Sequence, residues 1–427
     1  MPVTLHAAAG RGGPVGLAAA HVPLAGPLDP TPHSLRGDPA LLARSAAGLP
    51  EGPARAEAIA ARLRAQGEAV EWGEPVRMGA HELLAWTAAL GRGAVEVLRS
   101  DPALLPVLRI GSWFNASAHV RVARAPLLRA PAVLRFVPGS MRHRADAAFW
   151  AGVRAAATAT EWRRLTRGYT ALIYHRLAGE MKPGQERLDL PPERFRAQVE
   201  LLRRLRFHPV TGARLAALHD GGEPLPRRSV ALTADDAFLD CVRELERCGD
   251  RRPLLFVPTL EAGGRAHWAG GEPIADWAEL EALRRAGGEL GAHSRTHASL
   301  PDLDDARLRE EVEGSLGEVG AGALFAYPHG RHDARVREAV RAAGAPAAFT
   351  TDVGRNGAGT DPWCLRRVGV KAWDTRPAFL WKAVTGENLP GPWERRLRRR
   401  AGLPSSPADG GPAAVPPARE RPPRRAA

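Results

Sequence analysis

Two pairs of residues in this chain have the types and spacing for metal chemistry. Asp235 and Asp236 are adjacent at the end of the apolar run SVALT. Side by side, two carboxylates repel unless a cation or a proton lies between them. His293 and His297 lie four apart in GAHSRTH, just after GELGA, so both imidazoles can face the same way. Imidazole suits zinc and similar borderline ions. Each pair has an ordinary alternative: the aspartates can cap the following segment AFLDCVREL, and an H-x-x-x-H can be incidental. Together they are more specific. One aspartate and two histidines give three protein ligands, a water can take the open fourth position, and the other aspartate is left as a base. That arrangement suits metal-assisted hydrolysis.

These groups must be carried by several different elements. From about residue 169, short apolar runs alternate with amphipathic stretches. TALIYH (170–175), SVALTADD (229–236), PLLFVPT (253–259), GELGAHS (288–294), ALFAYP (323–328) and AAFTT (347–351) read as strands; ERFRAQVELLRRL and DWAELEALRRAG read as helices. The alternation predicts parallel strands with helical crossovers, an α/β fold whose active site lies at the strands' carboxyl ends.

The motifs, in their order, resemble the polysaccharide deacetylase family (carbohydrate esterase family four) over residues 169–375. TADDAF is similar to the family's T-F-D-D-G-[YF], HSRTH fits its H-[ST]-x-x-H, and FAYPHG is similar to its F-x-Y-P-Y-G variant. YHR at 174–176, FTTDVGRN and LRRVGV resemble further strands of bacterial members. The resemblance implies a distorted (β/α) barrel and removal of N-acetyl groups from an N-acetylated sugar, polysaccharide or glycan precursor. It implies Asp235 as general base, Asp236, His293 and His297 as ligands of a divalent ion, zinc before others, and the backbone N–H of His329 as oxyanion contact. Tyr327 and Pro328 would shape the groove. Ala234 and Ala237 stand where Phe and Gly are usual, and a methyl at 237 strains the loop if its φ is positive. The motif-three Arg of some members is absent. No histidine follows His332, so the family's late His has no counterpart, and the proton donor falls to His175, His329, His332 or a water. A catalytically impaired glycan-binding or assembly protein on the same fold is the alternative.

Residues 1–165 read as helices and loops, with helical spacing over 54–67, 81–98 and 145–159. RLRAQGEAVEW and ALGRGAVEVLRSDPALLP bear a fainter likeness to the carboxyl-terminal stretch of family-two glycosyltransferases. GRGGPVG near the start lacks the spacing of a phosphate loop and reads as a turn. Pro126, Pro131 and Pro138 interrupt any long amphipathic helix in the arginine-rich stretch after Asp101. The expected division is a helical accessory region (1–165), a catalytic domain (166–393) and a disordered Arg/Pro-rich tail (394–427).

The chain has 427 residues, ample for a core without staples, and three cysteines, too few for a disulfide framework. Its net charge is +13, carried by residues 1–165 and 394–427 while the middle is neutral. Of 60 basic residues only Lys182, Lys371 and Lys382 are lysines. That bias weakens any reading of the arginines as a nucleic-acid surface, and no specific nucleic acid is expected. The basic flanks suit a peripheral contact with an anionic membrane. With no basic-then-apolar leader and no run of 18 apolar residues, a cytoplasmic or membrane-associated protein without a signal peptide is expected.

Overall fold

The computed structural model describes residues 3–5, 35–37, 39–66, 68, 71–72, 79–129, 141–178 and 188–400. The GRGGPVG turn, Pro131, Pro138 and the chain beyond 400 lie outside the described residues.

Up to Thr166 the chain is mostly helical: α1 (Pro39–Ala46), α2 (Arg55–Ala65), α3 (Ala80–Ser100), α4 (Ala118–Arg129), α5 (Met141–Ala156) and α6 (Ala159–Thr166). α3 and α5 cross closely at Gly91 and Gly152. A Cβ at Gly91 would collide with the Phe149 carbonyl, and one at Gly152 with that of Ala88. A small antiparallel sheet is added that helical periodicity does not reveal: β1 (Val3–Leu5), β2 (Leu35–Gly37) and β3 (Glu71–Trp72). α4 runs through Pro126, forgoing one backbone bond near its last turn.

The remainder builds a nine-stranded curled sheet flanked by helices. In chain order these are β4 (Gly168–Tyr174), α7 (Pro192–Arg204), β5 (His208–Pro209), α8 (Gly212–His219), β6 (Ser229–Ala234), α9 (Leu239–Glu246) and β7 (Leu254–Val257). A two-stranded ribbon of β8 (Arg265–Ala266) and β9 (Glu272–Pro273) follows, then α10 (Trp277–Arg285), β10 (Glu289–Ala292), α11 (Asp305–Val319), β11 (Phe325–Ala326), α12 (Ala334–Ala342) and β12 (Ala348–Phe349). β13 (Asn356–Gly357), β14 (Val368–Gly369), α13 (Arg376–Thr385) and α14 (Gly391–Arg400) complete the described chain. Residues 394–400, expected in a disordered tail, are thus helical. Pro392 and Glu394 suit the first turn of α14, and arginines end it against the helix dipole.

The strand order is β12-β11-β10-β7-β6-β4-β13, with β14 also on β4 and β5 on β6. Pairing is parallel throughout except for β13 on β4. All residues of β4 (GYTALIY) and β6 (SVALTA) are buried, as parallel strands covered on both faces require. The segment 365–369 reaches toward both sides of the sheet: Leu365 bridges Phe349 of the edge strand β12, and Val368 pairs with Leu172 of β4, next to the other edge. The sheet therefore curls into a half-barrel, the distorted (β/α) barrel expected from the sequence. Leu172, Tyr174, Leu232 and Val257 face one core with the surrounding helices. Tyr169, Ala171, Phe256 and Phe349 face another, which is continuous with Leu90, Phe149 and Trp150 of the N-terminal helices.

Candidate metal centre

Every acid and imidazole singled out above leaves the sheet at the carboxyl end of a strand. β6 ends at Ala234, and Asp235 continues its ladder by donating its N–H to Tyr174 O. The chain then turns sharply: Asp236 and Ala237 have φ of 71° and 52°. Ala237 therefore does occupy the left-handed region that favours glycine, with its methyl fully buried. β10 ends at Ala292, and His293 donates its N–H to Val257 O. Buried Glu311 of α11 then gathers the next turn. It accepts the N–H groups of Arg295 (2.8 Å) and Thr296 (2.9 Å) and the Thr296 hydroxyl (2.6 Å). With Ser294 and His297 at φ near 60°, this turn brings the second imidazole back beside the first.

Asp236, His293 and His297 converge, each buried, with one ligand atom from each lying within 4.8 Å of the other two. Asp236 Oδ1 is 3.0 Å from His297 Nε2 and 3.6 Å from His293 Nε2. Ligands bound tetrahedrally at zinc distances sit about 3.3 Å apart, so the spacing fits one ion. His293 Nδ1 lies 2.8 Å from the Ala326 carbonyl, which fixes that nitrogen as the donor and leaves Nε2 with its lone pair. Asp236 Oδ1 is buried with no hydrogen-bond partner, the state of a carboxylate oxygen that awaits a cation. The donor set and this orphaned oxygen fit a divalent ion.

Asp235, Asp236, His293 and His297 act on one another: burial opposes protonation of His293, but Asp235 and Asp236 outweigh it and raise its pKa. Burial opposes ionisation of Asp236, but the His293 and His297 imidazoles outweigh it and hold the carboxyl far below its usual range. Burial lowers His297, and neighbouring His293 adds to this. Burial and the two imidazoles push His329 down to about 4.

Asp235 has a different partner. Arg367, fully buried before β14, grips it with both terminal nitrogens, at 2.6 and 2.8 Å. Its Nε donates to Thr350 O at 2.9 Å, and its guanidinium lies 5.6 Å from both the Phe256 and Phe349 ring centres. Burial disfavours the Asp235 carboxylate, and Arg367, helped by His293, reverses this and lowers its pKa. Sequence reasoning assigned Arg367 no role. Two adjacent arginines inside the strand-like LRRVGV, with Asp235 otherwise unpaired, were the available signal.

The other predicted residues distribute around this centre. His175 is half-buried after β4, near enough to feel both aspartates. Its pKa is lowered by burial, then by Lys371 and Arg367. His329 has φ 57° and meets the His297 ring edge-on at 4.5 Å. Pro328 is buried. Tyr327 is fully buried, donates its hydroxyl to Trp363 O (3.0 Å) and stacks on His332, so it braces the loop from beneath instead of facing a groove. His332 is turned into this brace: Nδ1 lies 3.1 Å from Gly330 O and Nε2 3.9 Å from Cys364 Sγ. Trp268, which the sequence did not suggest, stacks on His297 at 4.1 Å.

Residues 222–348 match the family model described as Polysaccharide deacetylase. This is a polysaccharide deacetylase domain. The match spans both the aspartate pair and the histidine pair, and it makes the chain a hydrolase of linear amide bonds. No curated protein matches the chain. Among solved structures, the deacetylase domain is similar to the Streptococcus pyogenes deacetylase PplD in complex with acetate. That pair shares 16% identity over 51% of this chain and 98% of the other, with TM-score 0.44. IcaB from Ammonifex degensii is similar at 22% identity over 51% and 96%, TM-score 0.43. The polysaccharide deacetylase BC0361 from Bacillus cereus is similar at 19% over 51% and 69%, TM-score 0.43. The family match does not reach the N-terminal region, and the likeness to glycosyltransferases there finds no support.

Proposed function

We propose that the protein removes N-acetyl groups from an N-acetylated glycan or glycan precursor in a metal-dependent reaction. The observation that carries this is the buried Asp236–His293–His297 triad with an ionised aspartate next to it. Asp236, His293 and His297 would hold a divalent cation, zinc being suited to two imidazoles and a carboxylate, and it would supply Lewis acidity to the reaction.

The chain's own residues do the rest. Asp235 takes the proton of the attacking water. Arg367 keeps it ionised and fixes its plane, at the cost of some basicity. The His329 backbone N–H donates to the oxygen that gains charge; one such donor is worth roughly 3–4 kcal/mol in comparable sites. His332 is engaged by Gly330 and Cys364, so His175 and His329 remain as side-chain donors to the leaving amine. The products are acetate and a free amino sugar.

Acetate release from N-acetylated chito-oligosaccharides tests this. Activity is expected with zinc, and loss with a chelator and in Asp235→Asn. Protein that neither binds a transition metal at micromolar concentration nor releases acetate from a broad set of acetylated glycans would refute it.

Among the described residues no helix is long and apolar enough to cross a membrane. The positive charge of the flanks supports a peripheral contact with an anionic surface. Flotation of the full chain with anionic vesicles, lost in high salt, is the expected result.

A further inference from the structure

A second polar cavity opens at the other end of the half-barrel. The triad lies past the carboxyl ends of β6 and β10, whereas this cavity sits at the amino ends of β4 and β6, about 20 Å away along a seven-residue strand. Its volume is about 260 Å³, and it is lined by Trp162 and five arginines: Arg163, Arg167, Arg227, Arg228 and Arg355. Among the described residues no aspartate or glutamate lines it.

The abundance of arginine in this chain does not account for the cluster. Elsewhere, surface arginines find carboxylates one turn away, as in Arg203–Glu200, Arg284–Glu281 and Arg341–Glu338. Among the described residues none of these five has such a partner. Their hydrogen bonds go to neutral oxygens: Arg163 to Thr160 Oγ1 (3.1 Å), Arg228 to Leu205 O (2.8 Å), and Arg355 to Gly168 O (2.7 Å) and the Val384 carbonyl. Arg167 and Arg227 make no side-chain hydrogen bond among the described residues. Arg355 is the deepest. Its Nε is buried without a partner, and burial, with Arg121 adding, pushes its pKa down to about 10. Burial and the nearby Arg163 and Arg227 also lower Arg167. Five like charges line one cavity, and the deepest keeps a buried unused donor, so the cavity favours an anion.

We propose that this cavity binds a phosphate-bearing group, a phosphomonoester or a diphosphate, at the end of the domain remote from deacetylation. Guanidinium forks match phosphate oxygens in geometry and charge, and the cavity exceeds the size of a single phosphate. The group can belong to a soluble compound or to an anionic lipid headgroup.

Titration of the full, chelator-treated chain with inorganic pyrophosphate, followed by calorimetry, tests the site. Vesicles of phosphatidic acid against phosphatidylcholine form the lipid arm. Saturable binding in either arm is expected, unchanged in Asp236→Ala and weakened about tenfold or more in Arg167→Glu/Arg227→Glu. The milder Arg227→Gln, at an exposed position, is expected to weaken it less and serves if the double variant fails to fold. Binding of pyrophosphate assigns the soluble source; binding of phosphatidic acid alone assigns the headgroup. Absence of binding in both arms, or binding indifferent to these substitutions, overturns the proposal.

Discussion

Arg367 and Asp235 are joined by two parallel hydrogen bonds in the floor of the half-barrel, though 132 positions apart in the chain. The pair links the last strand to the loop after β6, and the two flanking phenyl rings leave the guanidinium no route to solvent. Removing one partner of such a pair strands a buried charge. Arg367→Ala is expected to cost about 3–5 kcal/mol in chemical denaturation and to abolish acetate release. Asp235→Asn, which keeps a hydrogen-bonding oxygen for Arg367, is expected to cost less stability while losing activity comparably. Equal stability of Arg367→Ala and the parent would show that the pair does not hold the floor together.

The adjacent aspartates are expected to separate cleanly in metal binding. Asp236 supplies an orphaned oxygen to the triad, whereas Asp235 is already engaged by Arg367. Asp236→Ala should lower zinc affinity by roughly a hundredfold or more, since even partners of metal ligands cost up to that. Asp235→Asn should retain zinc within a few-fold. Calorimetric titration with zinc after chelation checks both. Metal retained by Asp236→Ala would move the ion elsewhere.

Glu311 touches no proposed ligand, yet it sets where His297 points. Its carboxylate takes two backbone N–H groups and one hydroxyl from residues 295–296. Glu311→Ala leaves these donors without their acceptor, at about 1–3 kcal/mol of stability. It should also weaken zinc binding about 10–100-fold, in the manner of other residues that orient ligands. Glu311→Gln keeps one acceptor oxygen and should recover part of the affinity. A variant that loses stability but binds zinc as the parent does would reduce Glu311 to a scaffold residue.

Much of this centre was legible in the sequence because its chemistry is local. DD at the end of an apolar run and H-x-x-x-H after another announce themselves. The strands within 229–236 and 288–294 were recognisable because buried parallel strands are largely apolar. Arg367 and Glu311 were not, since each acts on residues far away in sequence and each sits among ordinary arginines and glutamates. Tyr327 misled for a related reason: its position in FAYPHG suggests a groove residue, but only packing shows that its hydroxyl is spent on Trp363. The left-handed turns at 236 and 297 leave no mark in residues that are not glycine; the one at 237 was signalled only by the resemblance, which puts glycine there. In the N-terminal region, helical spacing found α2, α3 and α5, while strands of two or three residues carry too short a pattern to detect.

The N-terminal helices contain one further buried acid whose ionisation affects stability. Glu57 is buried in α2, and one of its oxygens accepts the Arg109 N–H at 2.6 Å while the other has no partner. Burial raises its pKa to about 7, with Arg109 partly opposing. The folded state therefore binds this proton more tightly than the unfolded chain does. Between the unfolded pKa of about 4.5 and about 7, stability falls as pH rises, by on the order of 3 kcal/mol from this group. Glu57→Gln, which carries no charge at any pH, should lack this loss. Urea denaturation at pH 5 and pH 8 is expected to show the parent losing ground to the variant at the higher pH. If the difference between the two proteins is the same at both pH values, Glu57 does not titrate in that range, and its second oxygen has found a partner.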